Sequence, residues 1–423
     1  FGERMCVPSG VCAEQNAGWL GYRHVRVKST ESRHRLGTSV ARTSMKISTR
    51  SVFQAPEVWT IENTEFDLHG SLEGGKYIIV RNNSVLTIHA TAKQVGRNLG
   101  EFVFKSLVVE SGSEVTVLHR VANFTIDSMS VGSSLDNTFS EINVLGKTNF
   151  FVKDIVVGIT GAIRGNGGGF QRNGEGPTYK LAAKRGYGGT HGGYGSSYWN
   201  ALKNGPAKVG DSAMTDVKYV YGNYRYPRDM GSAGDQGRDN GKGGKGGAAI
   251  MIKAVGSARI DGIIESNGMV GINSGGGGGA GGSILIHGGL VHGNGTIRVD
   301  GGNGASSYGG GGGGGRIAVI CSILQRENIR FRSMTAIGGK YYHHATNFHG
   351  GAGTVFVKCG DQNEEVIIGN KEGCVDGYTP WIVKGAQGVL PYIHLRSGGN
   401  ILFQRPSEAE QDLRVTPKLS VQK

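Results

Sequence analysis

The feature that most constrains this chain is a repeat written in glycine and short apolar runs. GGAAIMI (246–252), GGSILI (281–286) and GGRIAV (314–319) place Ile250, Ile284 and Ile317 at intervals of 34 and 33 residues. GAGTVFV (351–357) follows, its Val355 38 residues after Ile317. A second register agrees, because DGIIESNG (261–268) and NGTIRVDG (294–301) put Gly262 and Gly295 33 residues apart. Two markers sharing one period predict stacked structural repeats.

The runs are rich in Ile and Val and only three to five residues long, which predicts strands. No 3.6-residue apolar stripe long enough for a helix runs through 240–360. A strand this short cannot bury an apolar face alone, but identical coils can pair each strand with its equivalent about 4.8 Å away. The expected fold is therefore all-β, a right-handed parallel β-helix (solenoid) with glycine-rich loops and one long insertion. Glycine would serve at tight corners that need positive φ. The runs at 275–279 and 309–315 would be loops leaving one corner and stacking on each other. Flexible linkers are the competing reading of these runs, but linkers do not alternate with IMIK, ILIH and IAVI at fixed spacing.

The expected organisation is a Cys-containing basic segment (1–56), regular β-helix coils (57–165), a Gly/Tyr-rich insertion (166–246), Gly-rich coils (247–404) and a polar tail (405–423). Within 57–165, Leu107, Met129 and Ile155 are 22 and 26 residues apart, a coil length without a glycine loop. Strands such as EEVIIG (364–369), PWIVKG (380–385) and GNILFQ (399–404) suggest further coils beyond 358. The insertion, too poor in aliphatics to be a domain, is expected to pack over the solenoid's flank.

Asn166, Asn267 and Asp300 each fall five residues after the register glycines Gly161, Gly262 and Gly295, predicting a structural ladder between coils first and a binding site second. Residues 21–50 carry eight Lys/Arg against Glu31, contributing +7 of a formal net charge of +13. Arg23, Arg26 and Lys28 are candidate polyanion contacts, although a basic edge that discourages strand pairing is the first account of this stretch. Tyr187, Tyr194, Tyr198 and Trp199 are candidate stacking platforms for a carbohydrate.

The spacing of the five cysteines suggests local bridges Cys6–Cys12 and Cys359–Cys374, with Cys321 a buried thiol; reduced, unpaired cysteines are the alternative. Sequons begin at Asn82, Asn123 and Asn294. The chain opens on Phe1 without a basic-then-apolar leader, so a mature or processed segment is expected. No apolar run approaches the roughly 20 residues of a membrane span. Together these features favour a secreted, extracellular protein.

The order GYGGTHGGYG (186–195), YGNYRYPRDMGSAG (222–234), GKGGAAIMI, GAGGSILI, GGGGGRIAV and GAGTVFVK resembles glycine-rich repeat regions of large secreted animal, plant and bacterial proteins, over roughly 160–358. Those regions are similar in outline to parallel β-helices of the pectate-lyase type and to adhesin passenger segments. The resemblance implies an extracellular, non-catalytic repeat and supplies no catalytic residue. Residues 1–56 depart from it.

Parallel β-helices also host lyases and glycosidases, which need a poised base beside Ca²⁺-binding acids or two carboxylates at set separation. The candidate acids Asp261, Glu265 and Asp300 form no evident cluster, and Asp235 with Asp239 fits no known Ca²⁺ loop spacing, leaving Ca²⁺ a minor expectation. HHATNFH offers His343, His344 and His349, read as surface histidines before a metal site. His191 has no Cys or acid partner nearby. No GxSxG elbow, Walker motif or nucleic-acid-binding pattern appears.

The expected function is a non-catalytic structural or adhesive element. Its partners would be copies of itself and acidic polysaccharide, acidic matrix protein or a mineral surface. A polysaccharide-active enzyme and a carbohydrate- or mineral-binding module are the alternatives.

Overall fold

The computed structural model describes residues 5–6, 12–13, 43–133, 137–171, 175–177, 186–196, 220–237, 241–305, 309–323, 331–341, 349–370, 378–382, 391–396, 399–404 and 419–421. Among them the chain is all-β, without a helix. Near the start β1 (Met5–Cys6) and β2 (Cys12–Ala13) pair antiparallel with Cys6 opposite Cys12.

The main body opens with β3 (Thr43–Ile47), β4 (Val52–Ala55) and β5 (Val58–Glu62), then β6 (Thr64–Leu68), β7 (Ser71–Gly74), β8 (Tyr77–Arg81), β9 (Val85–Ile88) and β10 (Lys93–Gln94). Thereafter the chain alternates between long and short strands. The long ones are β11 (Glu101–Val109), β13 (Val121–Val131), β15 (Lys147–Val157), β17 (Ala249–Ile260), β19 (Ser283–His292), β21 (Arg316–Cys321) and β23 (Thr354–Cys359). The short ones are β12 (Glu114–Val117), β14 (Ser140–Val144), β16 (Gly161–Arg164), β18 (Ile263–Glu265), β20 (Thr296–Arg298) and β22 (Ser333–Thr335).

Successive strands of each kind pair side by side. A 12-stranded sheet contains β5, β8 and all the long strands, a nine-stranded sheet runs from β3 to β22, and β4, β7 and β10 make a third. All the pairs from β3 to β23 in these sheets are parallel. Among the described residues the parallel pairing already includes Thr43–Ile47, ahead of the expected residue 57.

Register follows the sequence period. Ile250 pairs with Ile284, Ile284 with Ile317 and Ile317 with Val355. Leu107, Met129 and Ile155 are likewise neighbours in adjacent strands. In the nine-stranded sheet one column runs Phe66, Leu86, Val115, Ile142, Ile163, Ile264, Ile297 and Met334. Phe102, Phe124 and Phe150 stack with ring centroids 5.3 and 5.4 Å apart. One continuous apolar cluster joins the inward faces from Ile47 to Cys359. Each fully buried Ile or Phe in it contributes about 1.5–3 kcal/mol.

Two expectations are corrected at the distal end. Cys359 bonds Cys321, not Cys374, because parallel register sets Cys321 directly beside Cys359, with Cα atoms 4.4 Å apart. Cys321 is therefore no free thiol, and Cys374 lies outside the described residues. Beyond 358 the parallel layering does not simply continue: β24 (Glu365–Ile368) returns antiparallel to β23. β26 (Tyr392–Leu395) and β28 (Leu419–Val421) extend that sheet, while β25 (Tyr378–Ile382) pairs with β27 (Asn400–Gln404).

The glycine runs differ most from expectation. Gly277, Gly278 and Gly279 donate their N–H groups to Asp235 O (3.0 Å), Gly310 O (2.8 Å) and Met269 O (2.9 Å), three separate chain segments. A Cβ on each would lie 2.0, 1.9 and 2.0 Å from three further carbonyls, those of Tyr187, Gly302 and Lys245. Gly312, Gly313 and Gly314 repeat the arrangement, bonding Gly302, Gly189 and Gly351. Their Cβ positions fall 2.0–2.1 Å from the carbonyls of Gly279, Gly193 and Ala336. Rotation to a new neighbour at every residue, closing after three, is the periodicity of extended threefold chains such as polyproline II and collagen.

None of these six glycines has positive φ. Glycine serves here because backbones touch on every side, and not because the chain turns a corner. The 186–196, 231–237 and 241–247 segments join this same block through backbone hydrogen bonds.

Gly278→Ala should destabilise the protein by about 3 kcal/mol through overpacking against backbone. Gly96→Ala, at φ 75° with open space around it, should cost about 1 kcal/mol. Urea unfolding of both variants checks the order, and an unperturbed Gly278→Ala would contradict the packed block.

Candidate functional site

The acids that suggested catalysis are engaged between layers. Asn166 Oδ1 accepts the N–H of Asn267 (2.7 Å), Asn267 Oδ1 that of Asp300 (2.8 Å), and Asp300 Oδ1 that of Ile337 (2.9 Å). The side-chain oxygen of one layer thus bonds the backbone of the next. Nearer the start hydroxyls do the same: Ser84 and Ser113 Oγ accept from Thr64 (3.2 Å) and Ser84 (3.0 Å).

Glu265, buried, pairs with Arg164 and accepts from Asn166 (2.8 Å) and Asn267 (3.2 Å). Asp261 bonds Arg259 (2.6 Å) and the N–H of Asn294 (3.2 Å). Asp154 accepts both the N–H and the hydroxyl of Ser257 (2.8 Å each) where β17 bulges, and these bonds lower its pKa.

A second polar cluster is enclosed where the glycine block meets β21. His191 is fully buried, with Nδ1 donating to Gly281 O (2.8 Å). Arg316 donates to Tyr221 O (3.0 Å) and Thr354 Oγ1 (3.1 Å). The Tyr221 hydroxyl donates to Met230 O (2.6 Å) and lies 2.9 Å from Ser232 Oγ. Burial, then the Arg316 charge, lowers His191 to about 4; burial also lowers Arg316 to about 10 and raises the Tyr221 phenol. This cluster fastens 220–232 to the sheet.

Among the sequence-named ligand residues, Tyr194 is buried and offers no open ring face to a sugar, a correction to its expected role. Tyr187 is half-buried, its carbonyl packed against Gly277. Tyr198, Trp199, Arg23, Arg26 and Lys28 lie outside the described residues, as do Asp239, His343 and His344. His349 is buried, which corrects the surface reading of it. Among the described residues no three His, Cys, Asp or Glu side chains converge as a metal site, and no helix is long and apolar enough to cross a membrane.

Of the sequon residues, Asn82 is exposed in a left-handed turn (φ 58°) and Asn294 is exposed. Asn123 Oδ1 accepts from Asn149 Nδ2 (2.7 Å) across β13 and β15.

Two features remain. One is the first layer: among the described residues β5, β3 and β4 are the outermost strands of three sheets at one end. The other is a cavity of about 420 Å³ on the outer face of the 12-stranded sheet. Its floor holds Phe151 and Met251, and Lys147, Arg228 and Lys253 stand around it. The rise in apolar content on both faces of β17 was the available signal for a covered outer face, since Met251, Leu285, Ala318 and Phe356 form a second apolar cluster there.

No protein family, characterised protein or solved structure matches the chain in comparison.

His191 gives a pH prediction. Its folded pKa lies below the ordinary value of 6.5, so the unfolded chain takes up the proton first as pH falls. Stability is intact above about 6.5 and decreases between 6.5 and about 4, by about 3 kcal/mol. Unfolding free energies measured across that window should decline less steeply in His191→Gln. Equal slopes would contradict a buried neutral imidazole.

Proposed function

We propose that the chain is an extracellular, non-catalytic right-handed parallel β-solenoid, a rigid scaffold that self-associates and assembles with matrix polymers. The observation that carries the reading is the shared end layer. Three sheets terminate together at β3, β4 and β5, and no strand pairs their outer edges among the described residues. Unpaired edges are templates for another chain, and a contact between copies at one end builds dimers or rods according to its symmetry.

Two further observations support a structural role. Polar side chains that could do chemistry are spent bonding one layer to the next. The disulfide ties adjacent strands of the last parallel layers. That bridge, with exposed sequon residues Asn82 and Asn294, also suits an oxidising, secretory compartment.

Val52 and Val58 lie on the end layer at 53% and 37% exposure. Sedimentation and negative-stain imaging should reveal concentration-dependent dimers or rods for the native chain, and monomers for Val52→Lys/Val58→Lys. A native chain that remains monomeric at every concentration would defeat the self-association reading.

A further inference from the structure

We propose that the outer-face cavity over β13, β15 and β17 is a binding site for an acidic saccharide unit, one bearing a carboxylate or sulfate. The proposal rests on the scaffold reading only for the matrix polymer to which such a unit would belong.

The site is assembled by register. Phe151 on β15 pairs with Thr125 on β13 and Lys253 on β17, while Asn149 pairs with Asn123 and Met251. Lys147, Asn149 and Phe151 alternate along one strand and so share its outer face. Pro227 and Arg228 close one side. At about 420 Å³ the cavity is near the lower end of the ~300–1,000 Å³ range of small-ligand sites.

Three chemistries coincide there. Phe151 keeps 37% of its surface open although it lies mid-strand in the middle of the sheet, offering a ring face for the C–H side of a sugar. Lys147, Arg228 and Lys253 line the space, and no acid does among the described residues. Asp229 sits beside it and pairs with Lys147 at 3.4 Å, one acid against three cations among the described residues, which leaves an excess of positive charge. Finally, Asn149 gives its Nδ2 to Asn123, so its carbonyl oxygen can accept from a hydroxyl. An aliphatic anion would satisfy the floor and the cations but not the amides. A neutral sugar would satisfy the floor and the amides but leave the charge unused.

Calorimetric titration tests this with four probes: a trigalacturonate, a sulfated disaccharide, cellotriose and octanoate. The trigalacturonate, the sulfated disaccharide or both should bind at least tenfold more tightly than cellotriose and octanoate, and weaken as salt is raised. Phe151→Ser and Lys253→Gln should each weaken that binding about tenfold, whereas Val255→Ser, an exposed neighbour on β17 outside the cavity, should not. Thermal unfolding of the three variants establishes that each is folded.

Absence of binding by both acidic saccharides, equal or tighter binding of cellotriose or octanoate, or indifference to both cavity variants would overturn the assignment. None of those results bears on self-association, which the Val52/Val58 variant reads separately.

Discussion

Everything in this structure depends on one layer meeting the next at backbone contact distance. In the sheets that contact is the parallel ladder, which fixes equivalent residues above one another and so repeats every apolar position as a column. In the glycine block the same demand is carried further, since each residue turns to a different neighbour and six surrounding segments leave no room for a Cβ. Glycine loses more conformational entropy on ordering than any other residue. The compensation is a dense set of backbone hydrogen bonds, each worth roughly 1 kcal/mol net, in a region with little side-chain burial to contribute.

How much of this the sequence discloses varies with the kind of constraint. The column Ile250, Ile284, Ile317 is legible because a period in residue number becomes register directly. The same period contained the disulfide, since Cys321 and Cys359 each follow their leading apolar residue by four positions. Pairing cysteines by proximity along the chain obscured that. The glycine block is illegible for a physical reason: a threefold chain without side chains has no hydrophobic period and differs from a linker only in what surrounds it. The cavity escapes notice because Phe151, Lys253 and Arg228 come from segments far apart in the chain and meet only after the 166–246 insertion has been placed. Tyr194 shows the converse error, an aromatic residue read as open that the glycine block encloses.

A fold held together layer by layer has consequences for its chemistry. Carboxylates and amides such as Glu265, Asn267 and Asp300 hold adjacent layers in register, so their strength as hydrogen-bonding groups is already committed. What remains accessible is shape and surface: the end layer, where ladders stop, and the outer face of the 12-stranded sheet, where a charged and aromatic patch survives between covering segments. A scaffold reading and a saccharide site at that patch are compatible uses of the two.

The central claim, that the glycine runs are a hydrogen-bonded solid and not loops, is tested most directly by amide hydrogen exchange. The account predicts that Gly277–Gly279 and Gly312–Gly314 exchange as slowly as Ile284 and Ile317 in the neighbouring strands. Exchange of those six glycine amides at the rate of an unstructured peptide, with the strand amides still protected, would contradict it.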